Sequence, residues 1–265
     1  MRSDADPAII RSRSNPSIKH VGAVRAGKLP GLVLEGDRLI DDALRAGLAL
    51  ELVLVAESRE ERARELEASG TAVQRVGDGL LASASELATS PGILAIAAPP
   101  PARPAAGLEA GPGALLLVAA GVADPGNLGA LARSAEAAGA QALCVVSGAS
   151  PWNSKALRGS MGSLLRLPVH VFRDAGACAR ELAVRGFRQV RAATRGGVPM
   201  ARFDWSGPIA LWVGSETGEL PGAAMELEAV TIPMRGAAES LNVAVAASLL
   251  LYASGRTGEG QVSPP

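Results

Sequence analysis

The sequence predicts an α/β protein in two parts: a small N-terminal α/β domain, and a larger C-terminal α/β domain around a mostly parallel sheet. Three observations carry this. Short apolar runs alternate with amphipathic stretches along most of the chain, the pattern of strand and helix in turn. The segment AAPPPARPAAGLEAGPG, residues 97–113, interrupts the alternation with Pro, Gly and Ala, and reads as an extended, semi-rigid linker over 99–113. Of the 265 residues 48% are apolar, enough for a sizeable core, and only 3% are aromatic, so the core is built from Ala, Val and Leu.

The elements follow in order. Before the linker, in 10–98, GLVLE, LELVLVA and ILAIAA read as short buried strands. GDRLIDDALRAG and REERARELEASG read as amphipathic helices, each closed by a Gly. After the linker, in 114–255, strands are expected at ALLLVAA, ALCVVS, LPVHVF, QVRAAT, PIALWVG and AVTIPM. Helices are expected at NLGALARSAEAAG, SKALRGSMGSLL, GACARELAVRG and over 239–254. Six strands with helices between them imply a sheet covered on both faces, with ligands beyond the carboxyl ends of its strands. The polar tail 256–265 reads as disordered.

The formal net charge is zero, so the average composition points to no nucleic-acid partner. The distribution is uneven. Residues 155–203 hold ten Lys/Arg against two acids, and Arg11 to Lys28 holds five Lys/Arg, His20 and no acid. Binding to a phosphate backbone is one reading of such stretches, and solvated helix faces are the other.

Several function classes are excluded or unsupported. Cys144 and Cys178 make neither a CxxC nor a disulfide framework, which suits a reduced, cytoplasmic setting. The opening MRSDADPAII has no apolar h-region, and the apolar run near 243–252 is too short and Ala-rich to span a bilayer. GAVRAGKL at 22–29 has the glycine and lysine spacing of a P-loop. Leu29 stands where Ser or Thr would hold Mg²⁺, no apolar strand precedes it, and Pro30 follows. No GxGxxG and no GxSxG occurs. With His20 and His170 as the only histidines, a histidine triad or metal cluster is poorly supported, and no metal is expected.

Three polar or glycine-rich stretches sit next to expected strands of the second domain. In VADPGNLGALARSAEAAG, Pro125–Gly126 makes a turn, Asn127 is placed to cap the following helix, and Arg133 falls in its second turn. In LWVGSETGELPG, a buried strand runs into Gly214, Glu216 and Gly218, whose glycines permit close approach of a ligand to the backbone. In TIPMRGAAESLNVAVAA, the expected helix opens on Ser240 and Asn242, a polar pair at the head of an apolar run.

Taken in order, these stretches resemble the three motifs of the SpoU/TrmH-type RNA 2′-O-ribose methyltransferases of the SPOUT superfamily. The first runs from Asp124-Pro125-Gly126-Asn127-Leu128-Gly129 to Arg133, the second is Gly214, Glu216 and Gly218, and the third is Ile232-Pro233-Met234 with Ser240-Leu241-Asn242. LRGSMGSLLRLPV also resembles the segment between motifs one and two. SRSNPSIKHVGAVRAG to GLVLEGDRLIDDAL resembles the small ribosomal-protein-like domain that many members carry for RNA binding. The resemblance covers roughly 11–254. One position departs: relatives often have an acidic residue where Ala120 stands, a difference that bears on substrate choice.

The resemblance implies a C-terminal trefoil-knotted domain that binds S-adenosyl-L-methionine, a homodimer with a shared active site that includes Arg133 of the partner subunit, and methylation of a ribose 2′-OH. The implied substrate is RNA, with 23S ribosomal RNA ahead of tRNA. It assigns Gly214, Gly218, Ile232, Met234 and Leu241 to the cofactor, and Arg133, Asn127, Glu216, Ser240 and Asn242 to catalysis. Arg11, Arg13, Lys19, Lys28, Lys155 and Arg158 are the expected RNA contacts. The competing readings are an RNA-binding relative without turnover, and a nucleotide-dependent oxidoreductase, which the missing glycine fingerprint disfavours.

Overall fold

The computed structural model describes residues 9–101, 103–214 and 222–254. The chain forms two compact units, residues 1–100 and 101–265.

The first unit has four helices, α1 (Pro16–Arg25), α2 (Asp37–Arg45), α3 (Glu60–Ala68) and α4 (Asp78–Ala84). Its strands are β1 (Leu32–Glu35), β2 (Leu50–Ala56), β3 (Gln74–Val76) and β4 (Ile93–Ala97), in the spatial order β1-β4-β2-β3. β4 runs antiparallel to β1 and β2, while β3 is parallel to β2. Val33, Leu54, Leu94 and Ile96 of the sheet form one core with Val21 of α1 and Leu81 of α4. The expected α2 and α3 end where Gly47 and Gly70 take φ of 74° and 87°, the left-handed conformation that closes helices.

α1, β3 and α4 are additions to the sequence reading. α1 begins at an Asn-Pro pair. Asn15 Oδ1 accepts from Ser17 N at 2.8 Å and Pro16 occupies the first turn, where its missing N–H costs nothing. The residues resembling a P-loop therefore begin inside a helix. β3 is held by its side chains as much as by its three-residue ladder. Arg75 is buried, and its guanidinium forks onto Glu60 (2.7 and 2.9 Å) and Glu67 (2.7 and 3.0 Å) of α3. These hydrogen bonds hold the Glu60 carboxyl down at about 2 and lower that of Glu67.

The second unit is a seven-stranded sheet in the order β7-β6-β5-β10-β8-β11-β9, with every pairing parallel. Its strands are β5 (Leu115–Ala120), β6 (Ala142–Val146), β7 (Val169–Phe172), β8 (Arg188–Ala193), β9 (Val198–Pro199), β10 (Ile209–Val213) and β11 (Glu228–Thr231). Its helices are α5 (Pro125–Ala137), α6 (Ser154–Gly159), α7 (Ser163–Arg166), α8 (Ala175–Val184) and α9 (Val243–Ala253). β5, β6 and β10 are buried at every position, as strands covered on both faces must be. Leu116, Val118, Cys144, Cys178, Leu182 and Trp212 lie in one core, which Leu108 of the Pro-rich stretch also joins. Both cysteines are free and buried, and a hydrogen bond between them, with burial, pushes the Cys178 thiol well up. His170 is a packing residue whose Nδ1 lies 3.1 Å from the Arg103 carbonyl oxygen.

The second unit differs from expectation in four places. The helix expected over 154–165 is two helices, because Met161 (φ 51°) and Gly162 (φ 87°) turn left-handed between them. The short β9 adds a seventh strand. β11 ends at Thr231, before Pro233, which has no N–H for a ladder. The last helix starts at Val243 rather than 239. The expected tail 256–265 lies outside the described residues.

Two outcomes follow from this packing. A Cβ on Gly129 of α5 would fall against the Ala156 carbonyl oxygen and 2.8 Å from Ser160 N, all backbone of α6 and its end. Gly129→Ala is expected to cost about 1–3 kcal/mol in urea unfolding, as overpacking does. Gly79→Ala in α4, with nothing within 4 Å of the new Cβ, is expected to be neutral or mildly stabilising. In the first unit, the lowered carboxyls of Glu60 and Glu67 contribute stability above their unfolded values near ~4.3, and lose it as pH falls toward about 2. All aromatic residues lie at or after Trp152, so the probe is amide exchange in α3 and β3. Protection, corrected for intrinsic rates, should fall from pH 5 to pH 3, and Arg75→Gln should lower it at pH 6 and flatten the profile.

Candidate active site

The parallel sheet directs its strand ends, and the loops that leave them, to one edge. There a cavity of about 460 Å³ opens among four segments. Its walls are Ala192, Ala193 and Thr194 at the end of β8, Val213 and Gly214 at the end of β10, Ile232 and Met234 beyond β11, and Ser240 to Val243 leading into α9. Ala246 and Leu250 of α9 close the apolar side. The volume suits a cofactor-sized ligand.

The polar pair at the head of the apolar helix has a physical explanation. Asn242 is the N-cap of α9: its Oδ1 accepts from Ala244 N at 2.9 Å and Val245 N at 3.4 Å. Its Nδ2 is then free to donate to Asn127 Oδ1, 3.0 Å away on α5. One side chain thus caps the third motif's helix and ties it to the first motif's helix. Ser240 stands two residues before the cap, exposed, on the cavity wall rather than inside a helical turn.

α5 is capped by Asp124, not by the expected Asn127. Asp124 Oδ1 accepts from Asn127 N at 2.9 Å, and Pro125 opens the helix. Asp124 Oδ2 accepts from Lys155 Nζ at 2.6 Å, and this bond, with the backbone N–H of Asn127, lowers the Asp124 carboxyl. Lys155 is therefore already committed to a carboxylate. Further along, Ser248 Oγ donates to Ala244 O at 2.6 Å and lies 2.6 Å from Ser134 Oγ, so Ser134 donates to Ser248. Tyr252 Oη donates to Ala137 O at 3.4 Å. α5 and α9 are thus stitched together from the cap to the last turn. Arg133 is the ninth residue of α5, in its third turn because the helix starts at Pro125. It is exposed, does not line the cavity, and has no hydrogen-bond or ion-pair partner among the described residues.

The structure therefore brings Gly214, Ile232, Met234, Ser240, Leu241 and Asn242 to one cavity and joins Asn127 to it through Asn242. Glu216 and Gly218 lie outside the described residues. Arg158 is engaged in an interaction of its own. In the first unit, Arg11 pairs with Glu57 at 2.7 Å, while Arg13, Lys19 and Lys28 are exposed. Sequence reasoning missed the cavity's β8 wall, 192–194, and the roles of Asp124, Ser134 and Ser248. The sign of the first was QVRAAT itself, a strand ending in small residues at the ligand-binding edge.

The cavity's chemistry fits S-adenosylmethionine. Among the described residues, none of the side chains that line it is titratable. Val213, Ile232, Leu241 and Leu250 offer apolar surface for a flat heteroaromatic ring. The backbone leaving β8 and β10, at Thr194 and Gly214, borders the cavity and brings peptide groups to its edge. S-adenosylmethionine, with an ammonium, a sulfonium and one carboxylate, carries one net positive charge, which no cation of the described lining opposes.

Comparison with known proteins agrees. Residues 114–252 match the SpoU rRNA Methylase family. The chain is 33% identical over 224 residues to the 23S rRNA (guanosine(2553)-2′-O)-methyltransferase RlmP of Bacillus subtilis, covering 83% of this chain and 86% of that one. Among solved structures, the AdoMet-bound rRNA methyltransferase from Sinorhizobium meliloti superposes with a TM-score of 0.83 at 26% identity, over 94% of this chain and 97% of that one. The SpoU methyltransferase AviRb from Streptomyces viridochromogenes, in complex with AdoMet, superposes with a TM-score of 0.81 at 28% identity, over 91% and 97%. More than half the length matches the family and the three motif segments converge on one strand edge, so the chain belongs to the SpoU rRNA methylase family.

Proposed function

We propose that this chain is an S-adenosylmethionine-dependent methyltransferase acting on a ribose 2′-OH of 23S ribosomal RNA. The observation that carries the reading is the cavity at the carboxyl edge of the sheet, walled by second- and third-motif residues and tied to the first motif by the Asn242–Asn127 hydrogen bond. The activity of RlmP and the AdoMet bound to AviRb point the same way.

Gly214, Ile232, Met234 and Leu241 hold the cofactor, and the motif assigns Gly218 to the same task. When bound, S-adenosylmethionine supplies an electrophilic methyl group on a positively charged sulfur. The chain's own task is to align the 2′-OH and to accept or pass on one proton. Alignment alone supplies up to about 7–11 kcal/mol in favourable cases. Asn242 is held rigid by its cap and by Asn127, and Ser240 Oγ stands beside it on the cavity wall. Arg133 holds RNA oxygens with its guanidinium. That is physically easier than removing a proton, because arginine titrates near ~13. Glu216 orients this group.

Arg133 does not line the cavity of its own chain, and α9 presents Val245, Leu249 and Tyr252 at 49%, 41% and 50% exposure, spaced four and three residues apart on one face. Such an apolar stripe suits a second copy of the chain. A homodimer through this face would carry Arg133 to the partner's cavity.

The test is transfer of labelled methyl from S-adenosylmethionine into unmodified total RNA, with rRNA and tRNA separated. Label is expected in 23S rRNA, sensitive to blocking of the 2′-OH. Arg133→Ala should lower the rate about 10- to 100-fold, the worth of a charge-assisted hydrogen bond or two. Arg133→Lys at full rate would remove any role for the guanidinium, and label confined to tRNA or to a base would overturn the substrate.

A further inference from the structure

We infer that Arg195 and Arg235 form a two-point phosphate clamp on the RNA strand at the mouth of the cavity. This rests on the reading of that cavity as the methyl-transfer site.

The inference starts from the cations of the second unit. Several are spoken for. Lys155 pairs with Asp124 (2.6 Å), Arg166 with Glu136 (2.7 Å), Arg185 with Glu181 (2.8 Å) and Arg188 with Glu228 (2.6 Å). Arg191 donates to the Leu227 carbonyl at 3.2 Å. At least four of the ten cations of 155–203 are thus held by carboxylates, so its net charge overstates what it offers to RNA. Arg195 and Arg235 share with Arg133, Arg173, Arg180 and Arg202 an exposed side chain, and are set apart from them by their place beside the cavity wall. Both are exposed, and neither has a hydrogen-bond or ion-pair partner among the described residues. No acidic residue occurs in 191–203 or in 229–238.

Topology brings the two to one place. β8 and β11 are adjacent parallel strands with Ala193 opposite Thr231, and Arg195 and Arg235 follow two and four residues later. Each comes directly after a residue of the cavity wall, Thr194 and Met234. The turn carrying Arg195 is not a loose loop. It takes the chain from β8, on one side of β11, to β9 on the other, and a Cβ on Gly197 would lie 2.8 Å from the Ala229 carbonyl oxygen. The segment bearing Arg195 is thus seated on the backbone of the strand that leads to Arg235. Two guanidinium groups with no partner among the described residues, on coupled segments at the rim of the cavity, match a bound polyanion whose one sugar must enter while its phosphates stay outside. They position the strand and touch none of the reacting atoms.

The experiment measures binding of unmodified 23S rRNA transcript to the full chain by filter retention over a range of salt, which needs no turnover. Arg195→Ala and Arg235→Ala should each weaken binding about tenfold and reduce the slope of log affinity against log salt by about 0.7 to 0.9. Arg→Lys at either position should keep the slope. Arg180→Ala, an exposed arginine on α8 that adds nothing to the cavity, should leave both unchanged. In methyl transfer, KM for RNA should rise with kcat within about twofold, and S-adenosylmethionine binding should stay as in the wild type, which also reports folding. Slopes equal to the wild type would overturn the clamp, as would a loss confined to kcat. Wild-type protein that binds RNA with these slopes and transfers no methyl would overturn the function and leave the clamp standing.

Discussion

The arrangement depends on how one asparagine satisfies the start of a helix. An apolar helix that packs into a core must still bond its first N–H groups, and α9 does so with Asn242 Oδ1. An aspartate would cap as well. Asparagine adds an amide donor on the same side chain, and that donor reaches Asn127 of α5. The cap therefore also registers α5 against α9, a register that the Ser134–Ser248 hydroxyl pair repeats two turns further on. With α5 held by α9 on one side and packed onto the α6 backbone at Gly129 on the other, its position relative to the strand ends is over-determined. Geometry at a methyl-transfer site has to be set in this way, because alignment rather than a covalent intermediate does the work.

The sheet was legible because its strands are buried on both faces and written as unbroken apolar runs, such as LLLVAA and IALWV. What escaped notice was held together by something other than periodicity. β3 is three residues long and depends on Arg75 gripping two glutamates of α3, a pairing between residues that sequence spacing does not place together. α1 carries few apolar residues, and its clearest mark was the Asn-Pro cap. The break at Met161–Gly162 falls in a segment whose composition suits a helix throughout.

The candidate site was legible in its members more than in its connections. Gly214, Ile232, Met234, Ser240, Leu241 and Asn242 were named from motif order, and they share a cavity. The assignment of the α5 cap to Asn127 rather than Asp124 failed by three residues, since both types cap helices and only the folded chain decides which oxygen meets which N–H. Charge was the least legible quantity. A run of ten cations looks like an RNA surface until its acids are found far away in sequence: Asp124, Glu136 and Glu228 quench Lys155, Arg166 and Arg188. A chain of zero net charge can still present local cations to a polyanion, but which ones is a matter of tertiary pairing.

The central claim is that the cavity at the ends of β8, β10 and β11 holds the methyl donor, with the Asn242–Asn127 pair at its edge. The most direct measurement is a crystal structure of the protein with S-adenosylhomocysteine, the demethylated product, soaked or grown in. The account predicts the adenosine between Gly214, Ile232 and Leu241, and its thioether sulfur turned toward Ser240 and Asn242. An adenosine bound elsewhere on the chain, or a cavity that stays empty at saturating ligand, would contradict it.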